Sequence, residues 1–95
     1  MSDEPVIAVR DAPESSRYEV TVDGGLAGIV VYEMHPDEIV LVHTEVHHTL
    51  RGLGSRLARG ALDDTRARGL RVVARCPFIA AYIRRHPEYA DLLVG

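Results

Sequence analysis

Between positions 43 and 55 the sequence gathers residues whose types and spacing suit chemistry. His43 and Glu45 stand two apart, and Thr49-Leu50-Arg51-Gly52-Leu53-Gly54-Ser55 follows. Two glycines let a backbone come close to a ligand without Cβ clashes. If a helix starts in this turn, its first N–H groups lack intrahelical acceptors and, with the helix dipole, form a site for phosphate oxygens. Arg51 adds a fixed positive charge. The spacing is neither a dinucleotide-binding fingerprint nor a Walker A loop. A glycine-containing turn that binds nothing is the competing reading, and Gly-x-Gly alone does not decide between them. Further on, Cys76 is the one cysteine. It is a candidate nucleophile, favoured if a helix N-terminus lowers its pKa, or a small buried hydrophobe. Arg84, Arg85 and His86 form a basic cluster after Tyr82. A solvated helix end explains Arg84; for Arg85 a phosphate contact is open. His43, His47 and His48 invite a zinc reading, but the last two lie where the chain turns, so no metal is expected.

Strands and helices must position these groups. Val6-Ile7-Ala8-Val9 is a short apolar run that reads as a first or edge strand, and Asp11–Ser16 as a turn cluster. Arg17–Val22 alternates: Tyr18, Val20 and Val22 face one way, Arg17, Glu19 and Thr21 the other. Asp23-Gly24-Gly25 tolerates the positive φ of a tight hairpin. Leu26–Glu33 continues as a strand, Met34–Asp37 turns, and Glu38–Val46 is a long strand. On it, alternation puts Ile39, Leu41, His43 and Glu45 on one face and Val40, Val42, Thr44 and Val46 on the other. The first set turns polar at its C-terminal end, which marks a place where polar groups face a cleft.

The second half is helical. Leu53, Leu57, Ala58, Ala61, Leu62 and Thr65 recur at helical spacing, with Arg68 and Gly69 ending the helix. Leu70–Ala74 reads as a strand, Phe78–Arg85 as a helix, and Pro87–Leu93 as a final helical turn. The strand–helix–strand unit implies a parallel pair with a right-handed crossover. The fold expected is α+β or α/β: a mixed, mostly antiparallel sheet with one parallel pair and helices packed on it.

Composition sets the bounds. Ninety-five residues make one domain, and 46% hydrophobic with 26% charged residues is the composition of a folded globular chain. No apolar run is long enough to span a bilayer, and the acidic start has no apolar core of a signal peptide. One cysteine forms no internal disulfide, so a reducing cytoplasm is the expected compartment. All 11 basic residues are arginine, and the net charge is −3. That charge and the scarcity of aromatics disfavour a nucleic-acid partner, and no membrane partner is expected.

Four segments in order carry a resemblance: His43-Thr44-Glu45-Val46, Arg51-Gly52-Leu53-Gly54-Ser55, Cys76-Pro77-Phe78, and Tyr82 through Tyr89. The chain resembles a short, single-domain branch of the GNAT N-acetyltransferase superfamily over nearly its whole length. It departs at Thr49, where the superfamily's loop usually carries Gln or Arg three positions before the first glycine. The resemblance implies acetyl-CoA as cosubstrate, bound where strands Glu38–Val46 and Leu70–Arg75 splay apart. Backbone groups near Thr44, Glu45 and Val46 would pair with the pantetheine arm, and one free N–H there would polarise the thioester carbonyl. Arg51, Gly52, Leu53, Gly54 and Ser55 would hold the pyrophosphate, and Arg85 is open to the 3′-phosphate. The acceptor implied is an amine, which must lose a proton. Glu45 and His43 are the candidate bases, with imidazole better matched to neutral pH. A simple ion pair at the sheet surface is the other reading. Tyr82 would protonate the leaving thiolate or serve as a core aromatic beside Phe78; the two are compatible. Cys76 would either carry the acyl group or stand aside while the amine attacks directly, the route we favour. A CoA-binding module with little turnover is the alternative function, and a monomer or weak homodimer the expected state.

Overall fold

Residues 4–94 are described by a computed structural model. Strand β1 (Ile7–Ala12) pairs antiparallel with β2 (Arg17–Val22), and β2 with β3 (Gly25–Met34). Asp23 and Gly24, both at positive φ, make the turn between β2 and β3, and Gly25 already belongs to the strand. β1 runs further than the apolar run alone suggests. Asp11 and Ala12, expected in a turn, pair with Tyr18 and Arg17, and Ala12 is fully buried. Turn-forming residue types here yield to the cross-strand ladder; the turn is the 3₁₀ segment Pro13–Ser15.

β4 (Glu38–Val46) pairs antiparallel with β3, and helix α1 (Leu53–Ala67) then crosses to β5 (Arg71–Ala74), which lies parallel to β4. The sheet order is β1-β2-β3-β4-β5, a meander closed by one crossover. Helix α2 (Pro77–Arg85) and the 3₁₀ segment Pro87–Leu92 complete the described chain. Proline opens each of these two, because its fixed φ suits a first turn and its missing N–H has no partner to lose there.

The six residues at helical spacing on α1 are its six buried residues, and the helix lies over the sheet. One core joins Tyr18, Val20, Val30, Ile39, Leu41 and Val72 of the sheet to Leu53, Leu57 and Leu62 of α1 and Ile79 and Ile83 of α2. The helices therefore share one face of the sheet. On the opposite face Arg10 and Arg17 grip the Glu19 carboxylate, each at 2.8 Å. Arg17, through its hydrogen bond, and then Arg10 hold that carboxyl below its usual pKa range.

Candidate functional site

Two structural events place the candidate residues. The first is the end of the β4–β5 ladder. Pairing runs from Glu38↔Arg71 to Leu41↔Ala74, and Leu41 O then accepts from the N–H groups of both Arg75 and Cys76, at 3.1 and 2.9 Å. Beyond Leu41 the chains part, and Val42–Val46 of β4 have no partner strand on the β5 side. The expected gap is present.

The second event is a β-bulge. Val31 pairs with His43, but the next residue, Tyr32, pairs with Leu41, so Val42 is the extra residue on β4. Residues directly opposite in an antiparallel pair project to the same face. Leu41 and Thr44 thus share the helix-covered face with Tyr32 and Val30, while His43 and Glu45 share the opposite face with Val31 and Ile29. Strict alternation put His43 and Glu45 on the face of Leu41. That assignment is corrected, because one inserted residue inverts every side chain after it.

The bulge separates the candidates into two groups. On the helix side, Thr44 Oγ1 lies 3.1 Å from Cys76 Sγ, across the gap. Cys76 is the N-cap residue of α2 and is 4% exposed. On the open side, His43 Nε2 is 3.3 Å from Glu45 Oε2, and His47 Nε2 is 3.1 Å from Glu45 Oε1. Val46, opposite Gly28, is exposed.

The glycine-containing turn does start a helix. Gly52 is the N-cap of α1 at φ 81°, a left-handed conformation that only glycine adopts without strain. Arg56 N–H bonds back to Gly52 O at 3.0 Å. The first turn of α1 has no side-chain cap and no acidic residue, so the positive end of the dipole is not neutralised from within. Arg51, Gly52 and Ser55 are exposed, whereas Leu53 is buried as a core anchor. Gly54 has a different reason to be glycine. A Cβ there would stand 2.8 Å from the Phe78 ring. The loop and the start of α2 are therefore in contact, which a sequence pattern does not reveal.

Tyr82 and Arg85 lie beside that contact. With Ser55, Phe78, Ala81 and His86 they line an open recess of about 160 Å³. This is room for part of a ligand, below the size of a typical small-molecule pocket. The Tyr82 ring stacks on His86 with centroids 3.9 Å apart. His86 Nδ1 donates to Tyr82 O at 2.8 Å, since a carbonyl only accepts. Burial raises the Tyr82 phenol pKa, with Arg59 opposing, so the group holds its proton at neutral pH. In the sequence His86 stands out only as part of a basic cluster, and His47 only as one of three histidines. Their i,i+4 and i,i+2 spacings from Tyr82 and Glu45 are the signals available for both.

Among the described residues no group of three His, Cys, Asp or Glu side chains is arranged to hold a metal ion. No helix among them is long and apolar enough to cross a membrane.

The profile of the GCN5-related N-acetyl-transferase family matches residues 17–92. The solution NMR structure of a GCN5-like protein from Staphylococcus aureus superposes with a TM-score of 0.71 at 21% identity. The match covers 93% of this chain and 88% of that one. At that identity the likeness is one of fold. No curated protein matches the chain. With the family profile spanning β2 to the last 3₁₀ segment, the chain belongs to the GCN5-related N-acetyltransferase family, and so to the acyltransferases.

Proposed function

We propose that this protein transfers the acetyl group of acetyl-CoA to an amine. The observation that carries the reading is the parting of β4 and β5 after Leu41, next to a helix N-terminus with a glycine cap and no acidic first-turn residue. The unpaired edge of β4 at Thr44, Glu45 and Val46 is the candidate seat of the pantetheine amides and of the thioester carbonyl. The N–H groups of Arg51 to Ser55 are the candidate pyrophosphate site. Arg85, in the recess with Ser55, is the candidate 3′-phosphate contact. No metal takes part in this reading.

The two sides of the bulge suggest a division of labour. The cofactor lies against the helix side, and the acceptor amine arrives from the open face, where His43 and Glu45 stand. The amine attacks the carbonyl carbon, the C–N bond forms, and the C–S bond breaks. The departing thiolate needs a proton, and Tyr82, protonated at neutral pH, is the candidate donor. Direct attack is favoured over an acyl-Cys76 intermediate, since Cys76 is buried and its sulfur lies against Thr44.

The test is thermal melting with CoA, followed by turnover of acetyl-CoA with amines. A ligand at about 100 times its Kd stabilises the native state by about 2.7 kcal/mol. For a domain of this size that raises Tm by roughly 10 °C or more. Gly54→Val, which drives a branched side chain against Phe78 at the mouth of the loop, should weaken CoA binding more than Leu57→Met, a core swap of similar volume. An unchanged melting curve at millimolar CoA removes the proposal. Tight CoA binding without turnover of any amine assigns the protein as a binding module instead.

A further inference from the structure

The three side chains on the open face form a chain of contacts, His43–Glu45–His47, with the carboxylate in the middle. Each carboxylate oxygen meets a different imidazole: Oε2 meets Nε2 of His43, and Oε1 meets Nε2 of His47. An ionised carboxylate has only acceptors, so His47 Nε2 donates to Oε1, and Nε2 of His43, 3.3 Å from Oε2, carries its hydrogen on the side that faces the carboxylate. In a neutral imidazole with the hydrogen on Nε2, the basic lone pair is on Nδ1. Glu45 lies behind the ring, in contact with both imidazoles, so its negative charge stabilises a proton that arrives at Nδ1 of His43.

From this we infer that the proton acceptor for the amine is Nδ1 of His43, and that Glu45 and His47 are positioning residues. The inference rests on the acetyl-transfer reading above and assigns roles within it. His43 is the better placed imidazole. It follows the bulge residue Val42 and lies just past the point where β5 leaves β4, whereas His47 lies beyond the end of the strand. His47 is anchored by its backbone, whose N–H donates to Ala27 O at 2.7 Å. Its ring holds one oxygen of Glu45, which leaves the other aimed at His43. The logic is that of a carboxylate fixing the tautomer of a catalytic histidine.

The surroundings leave the unit free to act. Across on β3 stand Ile29 and Val31, which are apolar. One strand further, Glu19 is paired by Arg10 and Arg17, and at the end of β5 Arg75 follows the last ladder pair. The His43 and His47 side chains are 59% and 74% exposed, so an amine can reach them and substitutions there spare the core. The proton balance is complete. An entering ammonium gives one proton to Nδ1 of His43, which passes it to solvent. The neutral nitrogen then bonds to the acetyl carbon, Tyr82 protonates the CoA sulfur as the C–S bond breaks, and the second proton lost by the nitrogen restores the Tyr82 phenol through solvent.

The experiment measures acetyl-CoA turnover between pH 5.5 and 9 with n-butylamine, spermidine and a lysine-containing peptide. In the wild type, kcat/KM for the amine should fall toward the acid side, as the proton acceptor becomes occupied. His43→Ala should lose about 100-fold in kcat, lose that acid limb, and recover rate on addition of free imidazole. His47→Asn should lower kcat about tenfold, the loss of one orienting contact, with KM for acetyl-CoA unchanged and the limb retained. His35→Asn, in the turn at the far end of β4, should behave as wild type. His43→Ala with wild-type kcat and an intact acid limb overturns the assignment of the base. His47→Asn with unchanged kcat overturns the positioning role. In both cases continued wild-type turnover leaves the transfer reading standing. No turnover by the wild type with any of the three amines overturns both.

Discussion

Cys76 occupies a position where reactivity and packing make opposite demands. It caps α2 at the mouth of the strand gap, yet it is buried and its sulfur lies 3.1 Å from Thr44 Oγ1. Under direct attack, Cys76→Ser should keep kcat within about threefold, since serine preserves the shape and the hydroxyl contact. Mass spectrometry after acetyl-CoA treatment should find no adduct on Cys76. A trapped thioester together with a large loss of kcat at intact CoA affinity would establish the covalent route. The tyrosines allow a second test at this scale. All four phenols are pushed above their ordinary value, chiefly by burial. Tyr18 and Tyr89 also donate to Asp64 and Asp63, and Tyr32, hydrogen-bonded to Asp11 at 2.7 Å, is pushed up to about 12. A folded-state pKa above the unfolded value near 10 favours the fold while the phenol is protonated. For Tyr32 that contribution is full below about pH 10 and is lost as pH rises through about 12. Absorbance at 295 nm should therefore show no phenolate step at pH 10 while far-UV circular dichroism is still native. A tyrosine ionising there in the folded protein would contradict the burial described.

At the scale of elements, α1 owes its position to a missing side chain. A Cβ at Gly60 would lie 2.6 Å from Val9 Cγ1 and 2.9 Å from Val9 Cβ. The helix can therefore approach β1 only because residue 60 is glycine. Gly60→Ala gains up to about 1 kcal/mol of helix propensity but forces helix and strand apart, at a typical cost of 1–3 kcal/mol for overpacking. The net expectation is a destabilisation of about 1 kcal/mol, read as a lower urea midpoint with an unchanged m-value. A more stable variant would show that β1 yields freely. The elements themselves were legible beforehand. β2 and β4 have the bounds read from alternation and turn residues, and the buried stripe of α1 is the one its periodicity gives. What alternation misplaced was the second half of β4. Val42 is as β-prone as its neighbours, so nothing in its type marks it as the extra residue. The bulge arises from pairing with β3, a partner the local sequence does not contain.

The whole molecule is fastened by its last segment. Tyr89 and Leu92 sit in the common core, and Tyr89 Oη donates to Asp63 of α1 at 2.6 Å. Arg66 of α1 grips both oxygens of Asp91 at 2.9 Å, and Val94 N–H bonds to Val72 O of β5 at 2.9 Å. The exposed arginine pair adds little by itself. The buried apolar residues are the main term, so Leu92→Ala should cost about 2–5 kcal/mol. In a domain whose total stability is on the order of 5–15 kcal/mol, that is a Tm fall of roughly 10 °C or more. A change of a degree or two would mean the segment packs only loosely on the core.

The sequence by itself determined the order and type of the elements, because hydrophobic periodicity, glycine turns and prolines act within a few residues of one another. It also determined that a glycine-containing turn leads from the long strand into a helix, and the four segments that resemble the superfamily. Three things belong to the tertiary structure. The bulge at Val42 decided that Thr44 faces Cys76 while His43 and Glu45 face away from the helices. The packing of α2 on the loop decided that Gly54 answers to Phe78, and that Ser55 shares a recess with Tyr82 and Arg85. The meeting of His47 with the second oxygen of Glu45 decided that His43, Glu45 and His47 form one chain of contacts. Each depends on how separate elements, or the chain past a strand end, come to rest against one another, and a pattern read along the chain has no term for that.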